Sequence, residues 1–284
     1  MLSCLRVFLI AVAILPSPRP LLLAQTPRAI AQERAEYLAW LETAANSPMA
    51  AVAQQPVGRG LRLGPADADI PLEGVAEHRV SAEGGALTMQ TSSGKRPVSR
   101  GQPFRLGGYT AYFTRAPAGT VVTVFGGKPR KEPPGYYAYD SSLVFTGPLL
   151  PSDRSGRVRV LAADGVEVEA SEAGSFEVSL GGSTRLRVLR IPGALADESE
   201  LEIFFRDETN GHGTYPAGRF VSLIPGADGE YRLDFNRARN PFCAYNSVYP
   251  CPAPWRGNRI AAPVKAGERY TGGGLESGPN QDAK

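Results

Sequence analysis

The stretch Arg157-Val-Arg-Val-Leu-Ala-Ala-Asp-Gly-Val-Glu-Val-Glu169 decides the fold. On each side of Asp164-Gly165, apolar residues alternate with charged ones, a period of two that turns one set to a core and the other to water. Glycine accepts the positive φ of a tight turn, so the two runs read as consecutive antiparallel strands. The alternation recurs in Thr120-Val-Val-Thr-Val-Phe125, Phe176-Glu-Val-Ser-Leu180, Arg185-Leu-Arg-Val-Leu189, Leu201-Glu-Ile-Phe-Phe205, Arg219-Phe-Val-Ser-Leu-Ile224 and Tyr231-Arg-Leu-Asp-Phe235, with a second turn at Asp228-Gly229. The expected fold is mainly β, built of antiparallel sheets, sandwich or barrel-like, in two units. Arg157, Arg159, Glu167, Glu169, Arg185 and Arg187 inside these strands read as a solvated face with cross-strand pairing rather than a binding stripe.

Upstream the period changes to that of a helix. Ile30, Tyr37, Leu38, Leu41 and Ala45 fall on one face, which predicts an amphipathic helix from about Arg28 to Ala45, ended by Asn46-Ser47-Pro48. Its polar face is not basic, so it reads as a lid on a sheet and not as a membrane binder. The turn-rich run from Gly126 to Gly135 marks a soft boundary. The expected organisation is a leader over 1–24, the helix within 25–48, an N-terminal β unit over 49–126, a C-terminal β unit over 127–271 and a disordered tail over 272–284.

In the leader, Arg6 precedes the apolar run Val7 to Leu15, and Pro16-Ser-Pro18 follows. This reads as a secretory signal cut near Ala24, too short to span a bilayer, and predicts a periplasmic or extracellular mature chain with no transmembrane segment. A mis-assigned start or a greasy disordered leader is the alternative. The formal charge of +3 includes Arg6 and Arg19, so 3 − 2 leaves +1 after cleavage, which gives no support to nucleic-acid binding. Cys4 leaves with the leader, and in an oxidising compartment Cys243 and Cys251 read as a disulfide. Zinc lacks ligands, because His78 and His212 are the only histidines of the chain. Two buried free thiols are the reading if export fails. No metal or other cofactor is expected.

Two polar loops interrupt the β pattern, 204–220 and 234–252, and loops of this kind tend to carry function. They hold the candidate binding set Arg206, Asp207, Thr209, His212, Thr214, Tyr215, Arg219, Asp234, Asn236, Asn240, Tyr245 and Asn246. Guanidinium forks, carboxylates, amides and phenols suit a polar or anionic small molecule. The same residues also bond backbone in turns, and an Arg-Asp pair can simply tie loops to a sheet. A hydrolase would use Asp207, His212 and Asp234, with His212 as base, although no nucleophile signature such as Gly-x-Ser-x-Gly accompanies them. From Arg237 to Arg269, six basic residues, Arg237, Arg239, Arg256, Arg259, Lys265 and Arg269, face the single acid Glu268, a balance of 6 − 1 = +5. Such arginines more often cover neighbouring acidic strands of the same molecule; the excess also fits an acidic polymer or cell-envelope component.

These loops carry a resemblance. Asp207 with Thr209, Thr214-Tyr-Pro-Ala-Gly-Arg-Phe220, Asp234-Phe-Asn236, Asn240-Pro-Phe-Cys-Ala-Tyr245 and Ala266-Gly-Glu268 resemble, in order, the segments of domain-of-unknown-function family 1684, over about Tyr136 to Arg269. The resemblance implies no activity, and Pro216-Ala217 departs from the glycine-rich pattern of its segment. Residues 56–114 faintly resemble forkhead-associated domains at Gly58-Arg59, Asp69-Ile-Pro-Leu72, Val75-Ala-Glu-His78 and Arg105-Leu-Gly107. Ala76 replaces the phosphate-contacting serine and Thr91-Ser-Ser-Gly94 the Asn-Gly pair, so a shared sandwich without phosphothreonine binding is implied; an unrelated strand region is the other reading. The combined expectation is an exported, non-catalytic binding or scaffold protein with a polar, Arg-containing site in its C-terminal unit.

Overall fold

The computed structural model describes residues 26–126, 132–152, 156–192, 198–253 and 255–270. The leader and the tail lie outside these residues, as does the middle of the boundary run. The first element is α1 (Arg28–Thr43), with Ile30 and Leu41 buried as its apolar spacing predicts.

Nine strands follow: β1 (Ala51–Pro56), β2 (Leu61–Gly64), β3 (Ile70–Pro71), β4 (His78–Glu83), β5 (Ala86–Thr91), β6 (Gly94–Pro97), β7 (Phe104–Leu106), β8 (Tyr109–Ala116) and β9 (Gly119–Phe125). They form two sheets, ordered β1-β9-β8-β7 and β3-β2-β4-β5-β6. All pairs are antiparallel except β2 with β3. Their apolar faces share one core that includes Leu63, Val80, Met89, Phe113, Val122 and Val124.

The C-terminal strands are β10 (Val144–Pro148), β11 (Arg157–Leu161), β12 (Glu167–Ser179), β13 (Ser183–Pro192), β14 (Ser199–Phe205), β15 (Arg219–Pro225) and β16 (Glu230–Asp234). They make one antiparallel sheet, ordered β10-β16-β15-β14-β13-β12-β11. Beyond β10, Leu150 bridges Ser175 of β12, so the sheet curls without closing into a barrel. Alternation along β14 separates two apolar faces. Leu201, Ile203 and Phe205 join the main core with Val188, Val221 and Leu233, while Phe204 stacks on Phe220 at 4.3 Å beside Trp255 on the other face. At the β15–β16 turn, Asp228 (φ 55°) and Gly229 (φ 77°) both take the left-handed conformation of a primed hairpin.

The runs at 166–169 and 176–180 are parts of the single strand β12, which crosses Ala170 to Ser175 with a register shift between Glu172 and Gly174. The bulge lets the strand bend and continue where its alternation fails. Gly174 sits there at φ 149°, and a Cβ would overlap the carbonyl oxygen of Leu150. Gly174→Ala is therefore expected to cost about 1–3 kcal/mol. Gly182→Ala, at φ 126° with open space around it, should bear backbone strain alone; denaturant unfolding of the two variants checks the difference.

The two sets of strands touch through side chains. Ala51 and Phe125 pack with Tyr215, Cys243 and Tyr249, and Gln54 Nε2 donates to the Asp164 carbonyl at 3.1 Å. Asn246 Nδ2 donates to the Ala51 carbonyl at 2.7 Å and to that of Pro48 at 3.3 Å. Among the described residues, no helix is long and apolar enough to cross a membrane.

Candidate functional site

β14 ends at Phe205 and β15 begins at Arg219, so the polar loop between them is pinned at both ends to neighbouring strands of one sheet. Asp207 starts this loop by folding it on itself. Its Oδ1 accepts from the Thr209 amide at 2.8 Å, the Thr209 hydroxyl at 2.5 Å and the Val264 amide at 3.1 Å. Its Oδ2 accepts from Arg219 at 2.9 Å. Thr214 closes the turn through its hydroxyl, 2.8 Å from that of Thr209, and Asn210 Nδ2 donates to the Tyr215 carbonyl at 2.7 Å.

Arg219 is fully buried, its side chain 0% exposed, as is that of Asp207. Besides Asp207 it donates to the backbone carbonyls of Ala266, Val264 at 2.8 Å and Glu268 at 3.4 Å. Its guanidinium lies 5.2 Å from the Phe205 ring centroid. Burial holds its pKa below the usual arginine value, and the Asp207 charge opposes that shift. A fork whose prongs end on a carboxylate and carbonyls of the 264–268 segment fastens two loops to the sheet.

The second loop is organised the same way. Asp234 Oδ1 accepts from the backbone and side-chain amides of Asn236, at 3.0 and 2.9 Å, and Asp234 Oδ2 accepts from Arg232 at 3.4 Å. Asn236 then clamps Asp140, accepting from its amide at 2.9 Å and donating to its carbonyl at 2.8 Å. Asn240 Nδ2 donates to the Arg269 carbonyl at 3.2 Å. The Cys243 and Cys251 Cα atoms stand 5.5 Å apart, and the buried Tyr215 hydroxyl lies 3.4 and 3.2 Å from their sulfurs.

Where the loops meet stands Glu268, also 0% exposed. Its Oε2 accepts from the Asn240 amide at 2.7 Å and the Tyr245 hydroxyl at 2.5 Å, and its Oε1 from the Tyr136 hydroxyl at 3.3 Å. Burial pushes this carboxyl up to about 7, while the Asn240 amide and the Tyr245 hydroxyl pull it down. Burial and then the neighbouring Glu268 charge raise Tyr245 well above a free phenol. α1 covers this nest: Tyr37 and Tyr245 hydroxyls lie 3.4 Å apart, Arg34 donates to the carbonyls of Tyr137 and Asn236 at 3.2 and 2.9 Å, and Glu33 pairs with Arg237 and Arg239.

The fold thus gathers Asp207, Thr209, Thr214, Tyr215, Arg219, Asp234, Asn236, Asn240 and Tyr245 into buried clusters joined by backbone, with Asn246 reaching the N-terminal strands. Arg206 and His212 stand apart on the surface. The two carboxylates of the hydrolytic alternative are engaged by separate donors, and His212 is exposed. Of two cavities among the described residues, neither is lined by Asp207 or Asp234, and the second is lined by Asn236. One is a groove of about 730 Å³ lined by Val52, Pro65, Leu72, Glu73 and Tyr109 in the N-terminal sheets. The other is a water-sized crevice of about 10 Å³ under α1, between Arg34, Tyr136 and Arg239. No group of three or more His, Cys, Asp or Glu side chains suited to a metal occurs among the described residues.

The sequence named Glu268 only as the end of a motif and the single acid of a basic run, and it gave no site role to Arg34, Tyr136 or Asn258. Asn258 is buried and bolts its segment to the sheet through Arg187 and the Phe204 carbonyl. The one usable signal was an acid between glycine and arginine in an otherwise basic run.

Residues 134–269 match the family model described as protein of unknown function (DUF1684). The chain belongs to this family through its C-terminal half. The DUF1684 segment holds all the motif residues of the buried clusters. A similar solved structure is the solution NMR structure of the uncharacterized protein from gene locus rrnAC0354 of Haloarcula marismortui, 33% identical, with a TM-score of 0.41, covering 48% of this chain and 75% of that one. No curated protein matches the chain.

Proposed function

We propose that this is an exported, non-catalytic scaffold or binding protein whose DUF1684 motif residues act as an internal clasp, with Cys243 and Cys251 joined as a disulfide. The observation that carries the reading is Arg219, which has no exposed surface and whose partners are Asp207 and backbone carbonyls of the 264–268 segment. Both terminal nitrogens of this guanidinium are engaged and its unpaired Nε is buried away from solvent, so it offers no fork to a ligand. Hydrolysis finds less support, because a general base must reach its substrate with an orienting partner, and Asp207 and Asp234 are closed by their own loops. Export is supported by the Arg6 and Val7 to Leu15 leader, and the disulfide by a 5.5 Å Cα separation within the range such bonds span.

His212→Ala is expected to change unfolding free energy by less than about 0.5 kcal/mol, since the side chain is exposed. Reduction of the purified mature protein should lower stability by about 2–3 kcal/mol, the loop-closure value for a cross-link of this span, and thiol titration without reductant should find no free Cys243 or Cys251. Hydrolysis of chromogenic esters or glycosides that disappears in His212→Ala would contradict the scaffold reading; free thiols in the native protein would contradict the disulfide.

A further inference from the structure

The outer side of the clasp is a ribbon of two segments, 206–213 and 255–270, running side by side. The Arg206 amide donates to the Asn258 carbonyl at 2.8 Å, the Ile260 amide to that of Arg206 at 2.8 Å, the Glu208 amide to that of Ala262 at 3.3 Å, and the Tyr270 amide to that of Gly213 at 2.9 Å. Five exposed cations line it: Arg206, Arg256, Arg259, Lys265 and Arg269. Its acids Asp207 and Glu268 are buried inside the clasp, and Glu208 is its only exposed carboxylate, which leaves 5 − 1 = +4 at the surface. None of the five cations has an ion-pair partner among the described residues.

Arg206 and Arg259 are bridge partners, so two like charges sit side by side without a carboxylate between them. Such a pair is destabilising by itself, and violations of a local rule concentrate at functional positions. Sequence reasoning grouped Arg237 and Arg239 with these cations. The fold turns both to α1, where Glu33 pairs with each, at 3.2 and 3.1 Å, and it adds Arg206 to the ribbon from the other loop.

We propose that this ribbon docks a linear acidic polysaccharide, with Arg206 and Arg259 gripping carboxylates and Arg256, Lys265 and Arg269 extending the track. All five are exposed along one ribbon and line neither of the two cavities, which suits a row of separate charge-assisted contacts to a polymer. An anionic bilayer fits less well. The single exposed large hydrophobic among the described residues, Val52, lies in the N-terminal strands, so the ribbon carries no apolar side chain of that kind to insert. The clasp holds the ribbon in place, since Asp207 and Arg219 bond its 264–268 segment, while the five cationic side chains are exposed outside those buried contacts.

The test is binding of the purified full-length mature protein to polygalacturonate over a range of salt. The comparison sets Arg206→Gln/Arg259→Gln/Lys265→Gln against a control, Arg59→Gln/Lys95→Gln/Arg115→Gln, which removes three exposed cations from the part of the chain that forms the N-terminal sheets and their turns. Both triples take the formal charge of the mature chain from +1 to 1 − 3 = −2, so overall charge cannot separate them. The expected result is salt-sensitive binding by the wild type, at least tenfold weaker in the ribbon triple and within about twofold in the control. The dependence of log K on log salt should become shallower by about one per contacting cation removed. No binding by the wild type, equal loss in both triples, or binding to phosphatidylglycerol vesicles but not to polygalacturonate would overturn the proposal. A clasp that unfolded in Arg219→Ala would leave each of these outcomes readable, since that residue is untouched here.

Discussion

Arg219→Ala is expected to lose about 3–5 kcal/mol of unfolding free energy, because it strands Asp207 as a buried carboxylate without its countercharge. The loss has two sources. Asp207 keeps the Thr209 and Val264 donors but loses the charge that offsets its desolvation, and the carbonyls of Ala266 and Val264 lose their donor. Arg219→Lys should recover only part, since an ammonium cannot reproduce a fork that reaches a carboxylate and carbonyls in different directions. Removing both charges with packing restored, as in Asp207→Leu with Arg219→Met, should cost less than Arg219→Ala alone. Buried ion pairs replaced by apolar residues are often neutral, whereas half-removed ones are not. Urea titration of these proteins, together with Asp207→Leu and Arg219→Met each alone, gives the comparison, and losses of those two single changes that add up to that of the double would contradict direct coupling.

The second large effect concerns pH. Glu268 has a folded-state value raised to about 7 against 4.5 in the free side chain, with burial the leading cause. The native protein therefore holds a proton that the unfolded chain releases between those values. The sign follows: the contribution is fully present below about 4.5, is lost as pH rises toward 7, and is flat above it. The size is on the order of 3 kcal/mol, at about 1.4 kcal/mol for each pH unit that separates the folded and free values. Glu268→Gln keeps the shape and an acceptor for the Asn240 amide while removing the proton, so it should flatten the slope in that window. A residual slope of the same sign is expected from Glu202, raised to about 7 by burial, then Glu200 and Asp164 nearby, and from Asp164 itself, raised by burial. Unfolding free energies at pH 5 and pH 8 measure both, and an unchanged slope in Glu268→Gln would show that Glu268 does not carry the linkage.

Much of this architecture was legible in the residues. The alternation in β11, β13, β14, β15 and β16 placed those strands within a few residues, and Asp228-Gly229 placed the last hairpin, because a half-buried strand and a primed turn each impose a local pattern. β12 was split in reading because Ala170-Ser-Glu-Ala-Gly-Ser175 lacks alternation, and tertiary pairing with Leu150 and β13 carries the strand through it. Most of the N-terminal strands went unread: β3 has two residues, and all of β6 is exposed, so neither imposes a period. The polar loops announced themselves by composition, yet composition does not tell a ligand's partner from a backbone's partner. That distinction depends on burial. Arg219 and Arg206 are the same residue type at the ends of one loop; one is enclosed and the other faces solvent. Glu268 was read as charge in a basic run, because only the packing of Asn240, Tyr245 and Tyr136 around it reveals it as the centre of the clasp.

If the motif loops form a closed part of the folded core, their amides must open only when the core opens. Native-state hydrogen exchange of the Thr209, Asn240 and Val264 amides decides this, since these three donate to Asp207 and Glu268 inside the clasp. A closed clasp predicts protection equal to that of the β14 and β15 amides, so that all exchange only through global opening. Exchange of those three at the rates of surface loops, while the strands stay protected, would show the clasp to be open.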